Sequence, residues 1–291
     1  MVSLIKRNVN EKTKYYLKYS SRNISTQKYL GTTIPKDLNE QMKSFEIESY
    51  RKDKYDLLEK IHQNYLFYTQ KMDKKILENE HHGFKINHTY STQKIEGSTM
   101  TLGQTRKLLE FGLSPQNTSI KDIVEAQQLG TLFDLMLSYT KDIGEKLILC
   151  WHEMLFEKTD TNNAGAFRRQ DVQPYLGKTE YVLWGEVQEK LRSLIKWYNS
   201  EKKKLNPVEL SARFHNSFEL IHPFIDGNGR IGRLLMIFIL HKNNYPMIDI
   251  TPKEKQTYIN KLESSYMKND GMVFVKWLVS KYLRDNKKFI K

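Results

Sequence analysis

The sequence predicts a mainly α-helical protein with a small N-terminal β-hairpin, and three observations carry that expectation. From Lys54 onward, Leu58, Ile61, Tyr65, Tyr68, Met72 and Ile76 recur in three- and four-residue steps, the spacing that keeps one helix face apolar. Asn206-Pro207-Val208-Glu209 and Thr251-Pro252-Lys253-Glu254 each place a capping residue, a proline at the first helical position and a glutamate at the third. Residues Tyr15 to Ile34 instead read as β-prone sequence broken by the polar turn Ser20-Ser21-Arg22-Asn23 and closed by Gly31 and Pro35.

Further helices are expected at Leu102 to Phe111, between Thr101 and Gly112, at Ile120 to Tyr139 behind Ser119, and at Glu145 to Phe156. Between Gly165 and Trp184 the helical period disappears. Gly165, Pro174, Gly177 and the strand-like Tyr181-Val182-Leu183 predict a hairpin or extended flap there. Phe274, Val275, Trp277, Leu278 and Tyr282 read as a terminal helix packed on the core. No internal repeat or flexible linker divides the chain.

A chain of 291 residues can bury a sizeable core without a disulfide or metal staple. Its single cysteine, Cys150, permits no intrachain disulfide or CxxC site, which favours a reducing, cytoplasmic location. The opening residues lack an apolar signal region, and the longest apolar run, Leu234 to Leu240, is far short of the roughly 20 residues of a spanning helix, so a soluble protein is expected. The 47 Lys+Arg against 34 Asp+Glu give a net charge of +13, which points to an acidic or phosphate-bearing partner without naming it.

The chemistry concentrates in Ile221-His222-Pro223-Phe224-Ile225-Asp226-Gly227-Asn228-Gly229-Arg230-Ile231-Gly232-Arg233, between two apolar stretches that read as helices. Two glycines around an asparagine let the backbone turn tightly, and the amides opening the next helix then converge on an anion. Arg230 and Arg233, three apart, are expected to project from one helix face toward the same polyphosphate. Asp226 is a hard oxygen ligand placed to hold Mg²⁺ against those phosphates. His222, at the other lip, can take a proton from an incoming hydroxyl. Each feature alone is ordinary. Eight specified residues in one short window arise by chance on the order of 10⁻⁸ times per chain if residues were equally frequent and independent.

His222-Pro-Phe-Ile-Asp-Gly-Asn-Gly-Arg-Ile-Gly-Arg233 resembles the Fic signature HxFx(D/E)GNGRxxR at every specified position. Trp151 to Phe156 and Gly165-Ala166-Phe167-Arg168 resemble the family's preceding helix and flap start, and Thr92-Gln-Lys-Ile-Glu96-Gly97 matches its inhibitory (S/T)xxxE(G/N) motif. The resemblance implies a Fic-type helical bundle with a β-hairpin flap, divided into an N-terminal hairpin extension (1–40), N-terminal helices with the inhibitory segment (41–100), a core (101–250) and C-terminal helices (251–291). It also implies a protein AMP transferase moving AMP from Mg-ATP to a Ser, Thr or Tyr hydroxyl. In that scheme His222 is the general base, Asp226 the Mg²⁺ ligand and the Gly227-Asn228-Gly229 backbone the anion hole. Arg230 contacts phosphates, Arg233 clamps the γ-phosphate, and Phe224 is a core anchor. Glu96, in the motif with Thr92 and Gly97, would pair with Arg233 and self-inhibit. The resemblance further implies a target protein docking along the flap, Phe167 to Tyr181, and allows a homodimer coupled to the inhibitory helix. AMP removal, another nucleotide and self-modification stay open.

A nucleic-acid role for the basic residues Lys12, Lys14, Lys18, Arg22 and Lys28 of the N-terminal hairpin is the competing reading, and a solvated edge protected by lysines explains them better. Other signals are weaker still. Gly177-Lys178-Thr179 echoes a P-loop, but Val172 stands where its first glycine belongs. His152-Glu153 has Phe156 where a zinc helix needs histidine. His81, His82 and His88 read as an exposed loop, and Cys150 as a buried small hydrophobe.

Overall fold

The computed structural model describes residues 2–9, 11–173 and 180–290. Strands β1 (Val2–Val9), β2 (Lys12–Ser20) and β3 (Ser25–Gly31) form an antiparallel sheet in that order. The expected hairpin therefore has a third strand: β1 pairs along β2 with Leu4 opposite Leu17. Only Val2 of β1 is buried, so its sequence carries little alternation to reveal it. Val2, Leu17 and Tyr19 pack with Phe45 of helix α1 (Leu38–Lys71), which seats the sheet on the helix.

Helix α1 starts well before Lys54, because its first half is polar and only Phe45, Ser49, Tyr50 and Asp53 are buried there. It ends at Met72, in extended backbone, and Asp73 starts α2 (Lys74–Ile95) by accepting a bond from the Lys75 amide at 2.8 Å. The apolar period through Ile76 thus crosses a helix boundary, and Ile76 is exposed. Helices α3 (Leu102–Phe111), α4 (Ile120–Ser138) and α5 (Glu145–Phe156) occupy the expected spans. Thr101 and Gln104 make a capping box, and Gly112 closes α3 in the left-handed region.

Helix α6 (Val187–Glu201) leads to α7 (Pro207–Ile221), α8 (Asn228–Lys242), α9 (Lys255–Met267) and α10 (Met272–Asp285). Asn206 caps α7 as expected, but Glu209 turns inward to Arg51 at 2.7 Å and Tyr55 at 2.6 Å, tying α7 to α1. Thr251 and Glu254 form the capping box that precedes α9.

Helix α8 is buried on every side from Ile231 to Leu240, with an unbroken apolar run from Leu234, and accordingly lies between two cores. Leu234, Leu235 and Ile237 join α4, α5 and α7, whereas Met236 and Leu240 join α1, α9 and α10. Each such side chain contributes about 1.5–3 kcal/mol by burial, so the first turn of α8 stands on a rigid support.

Two local expectations are corrected, and a third falls partly outside the described residues. Among the described residues of 165–184 no strand forms, and Pro174, Gly177, Lys178 and Thr179 lie outside the described residues. His81, His82 and His88 sit on α2 rather than in a loop: His81 meets His241 edge-on, His82 faces Glu110, and His88 is buried beside Asp249 at 3.1 Å. Cys150 is exposed, because the buried face of α5 is formed by Leu147, Ile148, Trp151 and Leu155. Among the described residues no helix is long and apolar enough to cross a membrane.

Candidate active site

The turn between α7 and α8 is fixed by its own side chains. His222 follows the last residue of α7 with φ 49° and ψ 61°, a left-handed conformation that a histidine holds only when its surroundings enforce it. Arg168 does so. Its side chain is buried, its Nε donates to the His222 carbonyl at 2.7 Å, and its other nitrogens reach the carbonyls of Gln170 and Val182. Asn228 closes the other half, accepting from the Phe224 amide at 2.9 Å and donating to the Phe224 carbonyl at 2.8 Å. Its side chain is a brace, and its backbone opens α8.

His152 supports the turn from α5. Its Nδ1 accepts from the Gly165 amide, so its Nε2 carries the hydrogen donated to the Asp226 carbonyl at 3.0 Å. The ring stacks on Phe224 at 3.7 Å. Burial lowers its pKa to about 4, which keeps the donor–acceptor pattern fixed at neutral pH. Gly227, at φ 83°, is required twice over, since a Cβ there would also fall 2.3 Å from the Phe156 ring.

A cleft of about 300 Å³ opens beside this turn, lined by Glu96, Glu219, His222, Asp226, Gly227 to Gly229, Arg233 and Tyr258. The His222 ring stacks on Tyr181 at 4.0 Å, and its Nδ1 lies 3.3 Å from the Glu219 carbonyl. A carbonyl only accepts, so Nδ1 carries the hydrogen and Nε2 keeps its lone pair. Burial, the largest effect, pushes the imidazole pKa down to about 4, leaving it neutral at physiological pH.

Arg230 and Arg233 do not converge as the spacing predicted. Arg230 is buried beside Glu125, with Nη2 2.8 Å from Asp226, its guanidinium over the Phe156 ring and Gln93 at its edge. Burial opposes its charge, and Asp226 and Glu125 outweigh that opposition. Arg233 instead faces the cleft. Its Nε donates to Thr92 Oγ1 at 2.8 Å and its Nη2 to Glu96 Oε1 at 2.5 Å. Burial opposes this charge too, and the adjacent Glu96 holds it firmly protonated.

The geometry of α2 explains how two residues four apart reach one arginine. Thr92 and Glu96 share a helix face. Helix α2 then stops in a Schellman turn: the Ser98 amide donates to the Gln93 carbonyl and that of Gly97 to Lys94, with Gly97 at φ 105°. Glu96 is thereby the C-cap of α2, and its carboxylate lies against the first turn of α8. A Cβ on Gly229 would fall 2.3 Å from Glu96 Oε1. The carboxylate thus lies beside the first turn of α8, and the unpaired amides of a helix N-terminus favour an anion nearby.

Asp226 is half-exposed at the cleft mouth, with Lys121 at 3.5 Å. Burial would raise its pKa, but Arg230 and the Gly227 amide outweigh that and keep it ionised. Among the described residues no group of three potential ligands surrounds it. One carboxylate beside an anion site fits Mg²⁺, which keeps several waters and shares its remaining ligands with substrate phosphates.

Sequence reasoning missed His152, Glu125, Glu219 and Tyr258. His152, Glu125 and Tyr258 reach the site from other helices, Glu219 comes from α7 itself, and no local pattern marks any of them.

The Fic/DOC family model matches residues 142–240, from the start of α5 nearly to the end of α8. A Fic-domain-containing signalling protein from Bacteroides thetaiotaomicron is 30% identical, and its structure superposes with a TM-score of 0.72 over 81% of this chain and 96% of that one. The chain belongs to the Fic/DOC family. Fic-1 of C. elegans shows the same fold at 25% identity, with a TM-score of 0.71 over 87% of this chain and 74% of that one. The protein adenylyltransferase Fic of Drosophila yakuba is 35% identical over 203 residues. That match spans 66% of this chain and 39% of the relative, so the chain matches well under half the length of the curated relatives. The Fic motif lies inside the region matched by the family model; Thr92 to Gly97 lie before it.

Proposed function

We propose that the chain is a protein adenylyltransferase, moving AMP from ATP to a Ser, Thr or Tyr hydroxyl of a target protein or of itself, and that Glu96 restrains it. The observation that carries this reading is the opposition of two features in one cleft. A neutral His222 with a free Nε2 faces the opening turn of α8, where an anion site is formed by Arg233 and the helix N-terminus. The relatives named protein adenylyltransferase support the same reading.

In the reaction, His222 Nε2 takes the proton of the target hydroxyl, and the oxygen bonds to the α-phosphorus. The bond from that phosphorus to the α,β-bridging oxygen breaks, and pyrophosphate leaves. The amides of Gly227 to Gly229 cradle the phosphates, and Arg233 holds the γ-phosphate so that the α-phosphate faces the nucleophile. Mg²⁺, held by Asp226 and the phosphates, would neutralise charge on the leaving group. Positioning and fixed charge account for most of the acceleration in such a transfer. Arg230 acts on the phosphates through Asp226, which it orients. The target backbone would run along residues 167–181, part of which Arg168 fastens beside His222.

Because the Glu96 carboxylate takes the place of the γ-phosphate on Arg233, the closed form binds ATP poorly or out of register. Labelled ATP with Mg²⁺ should mark the Glu96→Gly protein or a target, and the Glu96→Gly/His222→Ala double variant should stay unmarked. Equal labelling of the two would remove His222 from the mechanism. Glu96 sits in the same cleft as His222, so AMP removal from a modified target is the second reading; release of AMP from a premodified protein, lost on Glu96→Gly, would favour it.

A further inference from the structure

Arg233 has a second carboxylate in its neighbourhood that neither the motif nor the mechanism uses. Glu219 lies one turn before His222 on α7, lines the same cleft and is nearly buried. Among the described residues its Oε1 has no hydrogen-bond partner. That oxygen points at the second turn of α8, since a Cβ on Gly232 would lie 2.9 Å from it. It is beyond ion-pair distance of Arg233, although the two charges act on each other. An unpartnered carboxylate oxygen is costly inside a protein, and a buried guanidinium stripped of its anion is costlier.

We propose that Glu219 is the reserve counter-ion of Arg233: it carries a proton while an anion, either the Glu96 carboxylate or a phosphate, occupies Arg233, and it releases that proton when the guanidinium is vacated. The inference rests on the nucleotide reading of the cleft given above.

The surroundings on every side favour this exchange. From α7 itself, His215 Nε2 is 3.8 Å away, and burial lowers the pKa of that histidine to about 3, so it supplies no positive charge. From α9, Tyr258 and Tyr266 face the carboxyl, and burial holds both phenols neutral. Among the described residues, Arg233 from α8 and Glu96 from the end of α2 are the charged groups that act on it, and Glu263 of α9 and Asp226 line the same cleft. Burial pushes the Glu219 carboxyl up to about 7, Arg233 draws it down and Glu96 raises it. When Glu96 withdraws, the raising influence goes and the lowering one stays, so the proton leaves to solvent. When phosphate arrives, negative charge returns and a proton is taken from solvent onto a Glu219 oxygen. In that neutral form the acid can also donate its hydrogen toward a phosphate oxygen. Glu219 is thus a positioning residue for Arg233, and anion exchange at this arginine is coupled to a proton.

Calorimetric titration of Glu96→Gly protein with Mg²⁺ and a non-hydrolysable ATP analogue, in two buffers of different ionisation enthalpy, measures that proton. Below pH 7, where the anion-occupied carboxyl keeps its proton and the vacated one has released it, the Glu96→Gly protein should take up more protons than Glu96→Gly/Glu219→Gln, by up to one, a difference that cancels the nucleotide's own titration. Its affinity should fall by up to about tenfold per unit rise in pH there, whereas the double variant stays flat. Glu96→Gly/Glu219→Asp should restore the uptake, which a purely structural role for Glu219 would not do. Equal uptake in the first two proteins, both folded by their melting curves, overturns the role of Glu219 and leaves the nucleotide site standing. Absence of any nucleotide binding by the Glu96→Gly protein instead sinks the nucleotide reading, and the role of Glu219 with it.

Discussion

Replacing Glu96 by alanine tests the closed state most directly, because alanine removes the carboxylate without the backbone freedom that glycine adds at a helix end. Removing one partner of a fully buried ion pair costs about 3–5 kcal/mol. The Arg233 side chain is 3% exposed, but that of Glu96 is 34% exposed, so water already weakens this pair. Thr92 Oγ1 and the Tyr258 hydroxyl also stay within reach of the guanidinium at 2.8 and 3.5 Å. These facts reduce the expected loss to about 1–2 kcal/mol. At about 2–4 °C per kcal/mol for a chain of this size, the nucleotide-free protein should melt about 2–8 °C lower. Saturating Mg-ATP should return more than that to the variant, because a phosphate replaces the missing carboxylate, and should move the wild-type protein little. Thermal melts of both proteins, each with and without nucleotide, provide the four numbers required. If the variant melts with the wild type and nucleotide shifts both equally, Glu96 does not hold Arg233 in solution and the argument for self-inhibition fails.

Arg168→Ala should remove the brace on the His222 turn, lowering stability by about 2–4 kcal/mol and labelling by the Glu96→Gly protein at least tenfold; unchanged labelling would show that the turn holds itself. Gly227→Ala should abolish nucleotide binding, since the residue has φ 83° and the new Cβ would collide with Phe156, and calorimetry reads the result. Labelling by the Glu96→Gly protein should not fall between pH 8 and 6 through charging of His222, because its pKa is held down at about 4; a fall centred near 6.5 would mean a solvated imidazole. Burial likewise holds His152 at about 4 and His215 at about 3. The unfolded chain takes up these three protons first, so stability is fully present above pH 6.5 and is lost as pH falls toward 4. The loss is up to about 1.4 kcal/mol per pH unit for each histidine, measurable by denaturation. Cys150 should react with a maleimide in the native protein without affecting nucleotide binding, and protection of the thiol would place it inside.

What was legible in the sequence was local. The caps at Thr101, Ser119, Asn206 and Thr251 and the glycines at 112 and 227 each specify backbone geometry within a few residues, and the structure has those boundaries where the sequence placed them. The fold class and the location of the site follow from such signals. The first halves of the sheet and of α1 were hidden because their contacts are distant: β1 buries one side chain, and Arg51 of α1 finds its partner Glu209 on α7. The same reason explains Arg230. Spacing on a helix gives direction to within about a quarter turn, which is too coarse to tell an arginine aimed at a cleft from one aimed at Glu125 on a neighbouring helix.

That distinction sets the character of the site. Of two arginines three residues apart, one is spent within the fold, its charge balanced by Glu125 and by Asp226, and it gives the carboxylate of Asp226 a fixed orientation. Among the described residues the other is paired with one carboxylate, from the end of α2, at a place where a glycine leaves room for it. An arginine buried this deeply needs an anion at all times, so the cleft cannot simply stand empty between Glu96 and a nucleotide. Some negative charge has to be within reach during the exchange, and Glu219, on the helix that also carries His222, is the carboxylate the fold keeps there.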